Sequence, residues 1–130
     1  MSPNIKHADK NLQGIDSVTV RVSDIYVASD WYQSKLGFIP IWEEPKKKLI
    51  VMNAGSACSI KLWQSEPDEV VLNNTNSYII FNTKDAISTR EELIQKGVKV
   101  EELIVADFVR YFFFYDPDGN VLEACQVLEF

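Results

Sequence analysis

The chain writes one local pattern twice, and that repetition constrains the fold more than any other feature. Ser17 to Val22 alternates polar and apolar residues, the period of a strand with one buried face. Ser23-Asp24 then offers a helix cap, and Ala28, Trp31, Tyr32 and Leu36 fall on one helical face. Gly37 ends that helix, as glycine does where a left-handed conformation is required. Downstream, Tyr78 to Asn82 is again strand-like and Asp85 follows it. Ser88-Thr89-Arg90-Glu91 reads as a capping box, Ile87, Leu93 and Ile94 supply an apolar stripe, and Gly97 stops the pattern. The two copies are offset by about 61 positions, close to half of 130 residues, which is the signature of a tandem duplication.

Each copy continues into strands. In the first half these are Phe38 to Trp42, Lys48 to Met52 and Cys58 to Trp63, with Lys46-Lys47-Lys48 as a solvated hairpin turn. In the second half, Val98 to Val105 forms one or two short strands and Arg110 to Tyr115 a strongly aromatic one. Asp116-Pro117-Asp118-Gly119 makes a turn before the last strand, Val121 to Val127. The expected fold is α+β, two tandem βαβββ modules. Module 1 covers about 15–64 and module 2 about 77–127, joined by a polar linker at about 65–76. That linker is too short to separate independent domains, so a single domain spans 1–130. The stretch to Gly14 lacks periodicity and reads as an arm.

Composition narrows the functional classes. Hydrophobic residues make up 46% of the chain, and a domain of this size buries roughly two-thirds of its unfolded surface. No apolar run approaches the ~20 residues of a bilayer span, and the polar start is no secretory signal, so the expectation is a cytoplasmic protein with no membrane partner. Cys58 and Cys125 lack zinc-site spacing and read as reduced, partly buried thiols. The net charge of −6 argues against nucleic acid, which demands clustered Lys and Arg. Residues 1–65 carry 8 basic and 6 acidic side chains, and residues 66–130 carry 5 and 13. The acidic second half favours a cationic ligand or partner, beside its plainer role in solubility.

Two segments carry a family resemblance. Val22-Ser23-Asp24 leads to Trp31-Tyr32 and Leu36-Gly37-Phe38, and Asp116-Pro117-Asp118-Gly119-Asn120 precedes a strand containing Glu123. Together they resemble the vicinal oxygen chelate superfamily of glyoxalase I, extradiol dioxygenases, fosfomycin-resistance enzymes and bleomycin-resistance proteins. The resemblance covers nearly all of the chain after Gly14, as one glyoxalase-like domain. It implies that the strands curl into a half-open, mixed-sheet barrel, and that four equivalent strand positions face its cavity, where catalytic members hold a divalent metal. A homodimer is implied as well.

The repeat places those four positions. Ser17 and Tyr78 each lie seven residues before the Asp that precedes a helix, and Lys61 and Glu123 match in the two last strands. Of these, only Glu123 is an ordinary ligand for a hard ion or zinc, and an ammonium group at Lys61 repels one. The sole histidine, His7, sits in the arm. No metal and no cofactor are expected. Strand alternation adds Thr19, Arg21, Ser59, Trp63, Ile80, Asn82, Val121 and Cys125 to the cavity face. Trp42 and Trp63 read either as core or interface residues or as stacking surfaces, and Trp31 as core.

Lys61 and Glu123 have two readings: a salt bridge filling the place of a metal, or a general base whose pKa the lysine sets. Three functions stay open. The first is a metal-free binding protein of the bleomycin-resistance type, sequestering a cationic or aromatic small molecule. The second is a lyase or isomerase using Glu123 as its catalytic group, with or without a divalent metal. The third is a non-catalytic interaction module with a self-filled cavity.

Overall fold

The computed structural model describes residues 11–12, 14–68 and 77–128. His7, most of the arm and most of the linker lie outside the described residues. Strand β1 (Ser17–Val22) runs into α1 (Ile25–Leu36), followed by β2 (Ile39–Glu44), β3 (Leu49–Asn53) and β4 (Ser59–Gln64). The second half repeats the order with β5 (Ile79–Asn82), α2 (Ala86–Gln95), β6 (Lys99–Val100), β7 (Ile104–Val105), β8 (Val109–Tyr115) and β9 (Val121–Val127). The first sheet has the order β1-β4-β3-β2, and the second β5-β9-β8-β6 with β7 also on β8. In both, the first and last strands of the unit pair in parallel and the remaining pairs are antiparallel. This is the expected α+β repeat. The two sheets remain separate and do not close into a barrel.

The core lies between each sheet and its helix. Val20, Val22, Met52, Ile60 and Leu62 pack beneath Ile25, Ala28 and Tyr32 of α1. Phe112, Phe114, Leu122 and Ala124 pack beneath Ala86 and Leu93 of α2. Each large apolar side chain so buried contributes roughly 1.5–3 kcal/mol. The two cores are continuous, joined where the Phe38 and Phe81 rings meet edge to face at 5.3 Å.

Helix α1 starts as expected, with Asp24 accepting from the amides of Tyr26 and Val27, and Gly37 ends it at φ 75°. Helix α2 corrects the expected capping box. Its cap is Asp85, whose carboxylate accepts from the Ser88 amide at 3.1 Å, so Ser88 to Glu91 lie inside the helix. With the helix beginning at Ala86, the face toward the sheet runs through Ala86 and Leu93. Ile87 and Ile94, expected in the apolar stripe, are consequently exposed.

One device appears in both copies. The side-chain oxygen of Gln64 accepts from the Ile25 amide at 3.1 Å, and that of Gln126 from the Ala86 amide at 2.9 Å. Each last strand thus satisfies a donor that a helix start leaves without an intrahelical partner. The helix ends are also tied reciprocally: Lys35 Nζ donates to the Lys96 carbonyl at 2.8 Å and Lys96 Nζ to the Lys35 carbonyl at 3.3 Å.

The turn between β8 and β9 locks the second copy to the first. Buried Asp116 accepts from the Tyr32 hydroxyl of α1 at 2.8 Å. Asn120 Nδ2 donates to the Arg21 carbonyl at 3.1 Å, and the Ser23 amide donates to Asp118 at 3.1 Å. Burial, together with the neighbouring Asp116 carboxylate, pushes the Tyr32 hydroxyl far above its ordinary pKa, so it stays a donor. Replacing Tyr32 by Phe removes one bond from a buried carboxylate. It is expected to cost about 1–3 kcal/mol, read as a lowered urea midpoint at unchanged slope. An unchanged midpoint would contradict the role given to this bond.

Candidate functional site

Because opposed residues in a ladder point to the same side, the register defines the open face of each sheet. On the first sheet Thr19, Lys61, Val51 and Trp42 form one row, and Arg21, Trp63, Leu49 and Glu44 the next. The Arg21 guanidinium lies 5.1 Å from the Trp63 ring centroid, and its Nε donates to Ser65 Oγ at 3.3 Å. Ser17 and Ser59 pair at the start of the sheet. On the second sheet Ile80, Glu123 and Phe113 form the matching row, followed by Asn82, Cys125, Tyr111 and Ile104. The parity of the aromatic strand is settled: Tyr111, Phe113 and Tyr115 face outward with Glu123, whereas Phe112 and Phe114 are core.

Glu123 is the chemically distinctive group of this face. It is 6% exposed on a floor of rings and strand. Phe113 lies across the ladder from it, and Tyr78 and Tyr111 meet Phe113 edge to face at 5.6 and 5.9 Å. Burial pushes the Glu123 carboxyl above its ordinary value, and a hydrogen bond from the Tyr78 hydroxyl partly offsets this by favouring the carboxylate. Burial and the nearby Glu123 charge likewise raise the Cys125 thiol.

The structure does not pair Lys61 with Glu123 within the chain. Glu123 takes its hydrogen bond from Tyr78, and Lys61 makes no hydrogen bond or ion pair among the described residues. The physical reason is that they belong to different sheets that do not close on each other.

A cavity of about 1120 Å³ lies between the outer edges of β1 and β5. It collects Thr19, Arg21, Tyr78, Ile80, Asn82 and Val121 of the expected cavity set, and leaves out Ser17, Ser59, Lys61, Trp63, Glu123 and Cys125, which lie on the open faces beside it. Its walls add Val18, Val20, Phe38, Phe81 and Leu93, with Lys35 and Glu92 at the helix side. Sequence reasoning missed Phe38 and Phe81. Phe38 was visible as part of Leu-Gly-Phe and of a strand, and its meeting with Phe81 depends on how the two halves pack.

The four positions that the resemblance assigns to metal ligands hold Ser17, Lys61, Tyr78 and Glu123. They do not fit a divalent ion. The Tyr78 hydroxyl is engaged as a donor to Glu123, Lys61 supplies a cation, and among the described residues no three His, Cys, Asp or Glu side chains converge. What the arrangement can do is hold a small molecule in a cavity whose walls mix apolar and polar side chains, with the Glu123 carboxyl on the open face beside it.

A raised carboxyl value has a definite sign for stability. The folded state holds the Glu123 proton more tightly than the unfolded chain, so this stabilising contribution is full below the unfolded value and is lost as pH rises through the folded one. In dilute solution Glu123→Gln is therefore expected to raise the melting temperature at pH ~7, with the gain shrinking toward pH ~4. A gain that persists unchanged at pH ~4 would sink this assignment.

Residues 14–124 match the family model described as the Glyoxalase/Bleomycin resistance protein/Dioxygenase superfamily. No curated protein matches the chain. Among solved structures it is similar to a putative glyoxalase family protein from Bacillus anthracis, at 21% identity and TM-score 0.76, covering 92% of this chain and 99% of that one. It is similar to TnmS3, an antibiotic binding protein from Streptomyces sp. CB03234, at 25% identity and TM-score 0.74, covering 93% and 99%. A third likeness is to FosX, a fosfomycin resistance protein from Listeria monocytogenes, at 17% identity and TM-score 0.75, covering 88% and 91%.

Proposed function

Starting from the fact that the chain belongs to the Glyoxalase/Bleomycin resistance protein/Dioxygenase superfamily, we propose that it is a cytoplasmic small-molecule-binding protein that sequesters its guest without a metal or other cofactor. The observation that carries this reading is the cavity of about 1120 Å³ between β1 and β5, large enough for a drug-sized guest. Its walls mix apolar side chains such as Val18, Phe38 and Phe81 with polar ones, among them Arg21, Asn82 and Tyr78, which can fix orientation. The likeness to an antibiotic binding protein supports the same reading. The donor set at the four matched positions supports the absence of a metal from the binding step. The guest is a small molecule with an aromatic ring or a cation.

The protein acts as a homodimer in this reading. Exposed Ile39, Ile41 and Trp42 on β2, and Ile80 on β5, supply apolar surface for self-association. A second reading, a lyase or isomerase, is favoured by one observation: the buried Glu123 carboxyl, which burial pushes above its ordinary value. Chemical conversion of a bound guest that stops in Glu123→Gln while binding persists would move the assignment to that reading.

The binding reading is tested by thermal shift against aromatic and cationic compounds. A guest present at about 100 times its Kd stabilises the fold by about 2.7 kcal/mol. Thr19→Trp and Ile80→Trp fill the cavity from two sides without touching the core. Guests that stabilise the native protein should lose most of their effect in both variants. Equal stabilisation of native and filled proteins would place the guest elsewhere and overturn the assignment.

A further inference from the structure

Two strand edges in this chain leave ladder groups unused. In a parallel ladder a residue turns both its N–H and its C=O toward one neighbour, and the next residue turns both the other way. At β1 the Asp16 and Val22 carbonyls accept from the Ser59 and Ser65 amides, at the two ends of β4, at 3.0 and 2.9 Å. Even-numbered residues of β1 therefore point to β4, and Thr19 points away from it. The Arg21 carbonyl, turned the same way as Thr19, is reached by Asn120 Nδ2 of the second unit at 3.1 Å. On the other side the Thr83 amide donates to the Cys125 carbonyl at 3.0 Å, so odd-numbered residues point to β9, and Ile80 and Asn82 point away. Among the described residues the backbone groups of Thr19, Ile80 and Asn82 have no hydrogen-bond partner, and no ladder joins β1 to β5.

The cavity lies against these edges. Side chains alternate between the two sides of a strand, yet the cavity is lined by four consecutive residues at β1, Val18 to Arg21, and by seven at β5, Ser77 to Thr83. Such a run means that the strand edge itself bounds the cavity. Open edges are commonly blunted by proline, bulges or charge. The outer strand β2 has all three, with Pro40, a bulge between Pro40 and Trp42, and Glu43 and Glu44. Strand β5 has none of them.

Resting on the binding reading above, we infer that the guest of this cavity is a short peptide, which adds as an extended strand between β1 and β5. An N–H and a C=O presented by every second residue match the backbone of another strand. Strand addition draws its affinity from that match and its selectivity from the places that receive alternate side chains. At about 3.3 Å per residue, the lined stretches suit a peptide of roughly four to seven residues. Every second side chain of the peptide meets Phe38, Phe81 and Leu93 on the helix side, so apolar residues belong at those positions.

The probes are a capped pentapeptide of alternating threonine and phenylalanine, and the same sequence with its central amide replaced by an ester. The ester removes one N–H with little change of shape. The full chain is titrated with each, and amide hydrogen exchange is followed by NMR. The expected result is saturable binding of the amide peptide, slowed exchange at Thr19, Ile80 and Asn82, and an affinity for the ester lower by roughly threefold to tenfold. The Val20 and Phe81 amides, already in the ladders, serve as reference. Peptide binding that leaves Thr19, Ile80 and Asn82 unchanged, or an ester that binds equally well, overturns strand addition. Slowed exchange that grows with protein concentration in the absence of peptide puts a second copy on the edges and overturns it too. If the peptide fails while another small molecule stabilises the native protein but not Thr19→Trp and Ile80→Trp, the peptide falls and the binding reading stands. If neither peptide nor any small molecule binds, both fall.

Discussion

Four donors converge on the carboxylate of Asp116, and the relation between the two halves depends on it. The Tyr32 hydroxyl and Asn120 Nδ2 reach one oxygen at 2.8 Å, and the Asp118 and Asn120 amides reach the other at 2.9 Å. A buried carboxylate is tolerated only when its lone pairs are occupied, and one of the four donors, the Tyr32 hydroxyl, comes from the helix of the other half. Asn120 and Asp118 extend the same contact to the end of β1. The position of β1 against the second half in turn shapes the gap between β1 and β5. The first unit lacks this device: it has Asn53-Ala54-Gly55-Ser56 at its corresponding turn.

The strands, both helices and the repeat were legible because they rest on local physics. Alternation fixed which face of β1 is buried, and Asp24 and Gly37 fixed the ends of α1. Helix α2 was read one turn too late at its start. Ser-x-x-Glu satisfied the capping pattern, but Asp85 stood three residues earlier with an equally competent side chain. The outward parity of Tyr111, Phe113 and Tyr115 was not legible, since five consecutive aromatic residues carry no alternation. The Phe38–Phe81 contact and the reciprocal Lys35–Lys96 bonds were hidden for another reason: they exist only once two separately folded patterns pack together.

The site divides along the same line. That Lys61 and Glu123 hold equivalent positions follows from the repeat, but whether equivalent positions meet depends on sheet closure, which no local pattern encodes. Within one chain they do not meet. Burial raises the Glu123 carboxyl, and the tyrosine that donates to it lies just ahead of β5. Among the described residues Glu123 is held by Tyr78 and Arg21 by Ser65 and Trp63, and no three His, Cys, Asp or Glu side chains converge to hold a divalent ion.

That commitment makes metal content the most direct test of the account. The purified protein is exchanged into buffer containing excess nickel, zinc and manganese, passed through a desalting column, and analysed by elemental mass spectrometry. The account predicts far less than one ion per chain for every metal offered. One tightly held ion per chain, lost on Glu123→Gln, would contradict it and make Glu123 a ligand with partners the matched positions do not reveal.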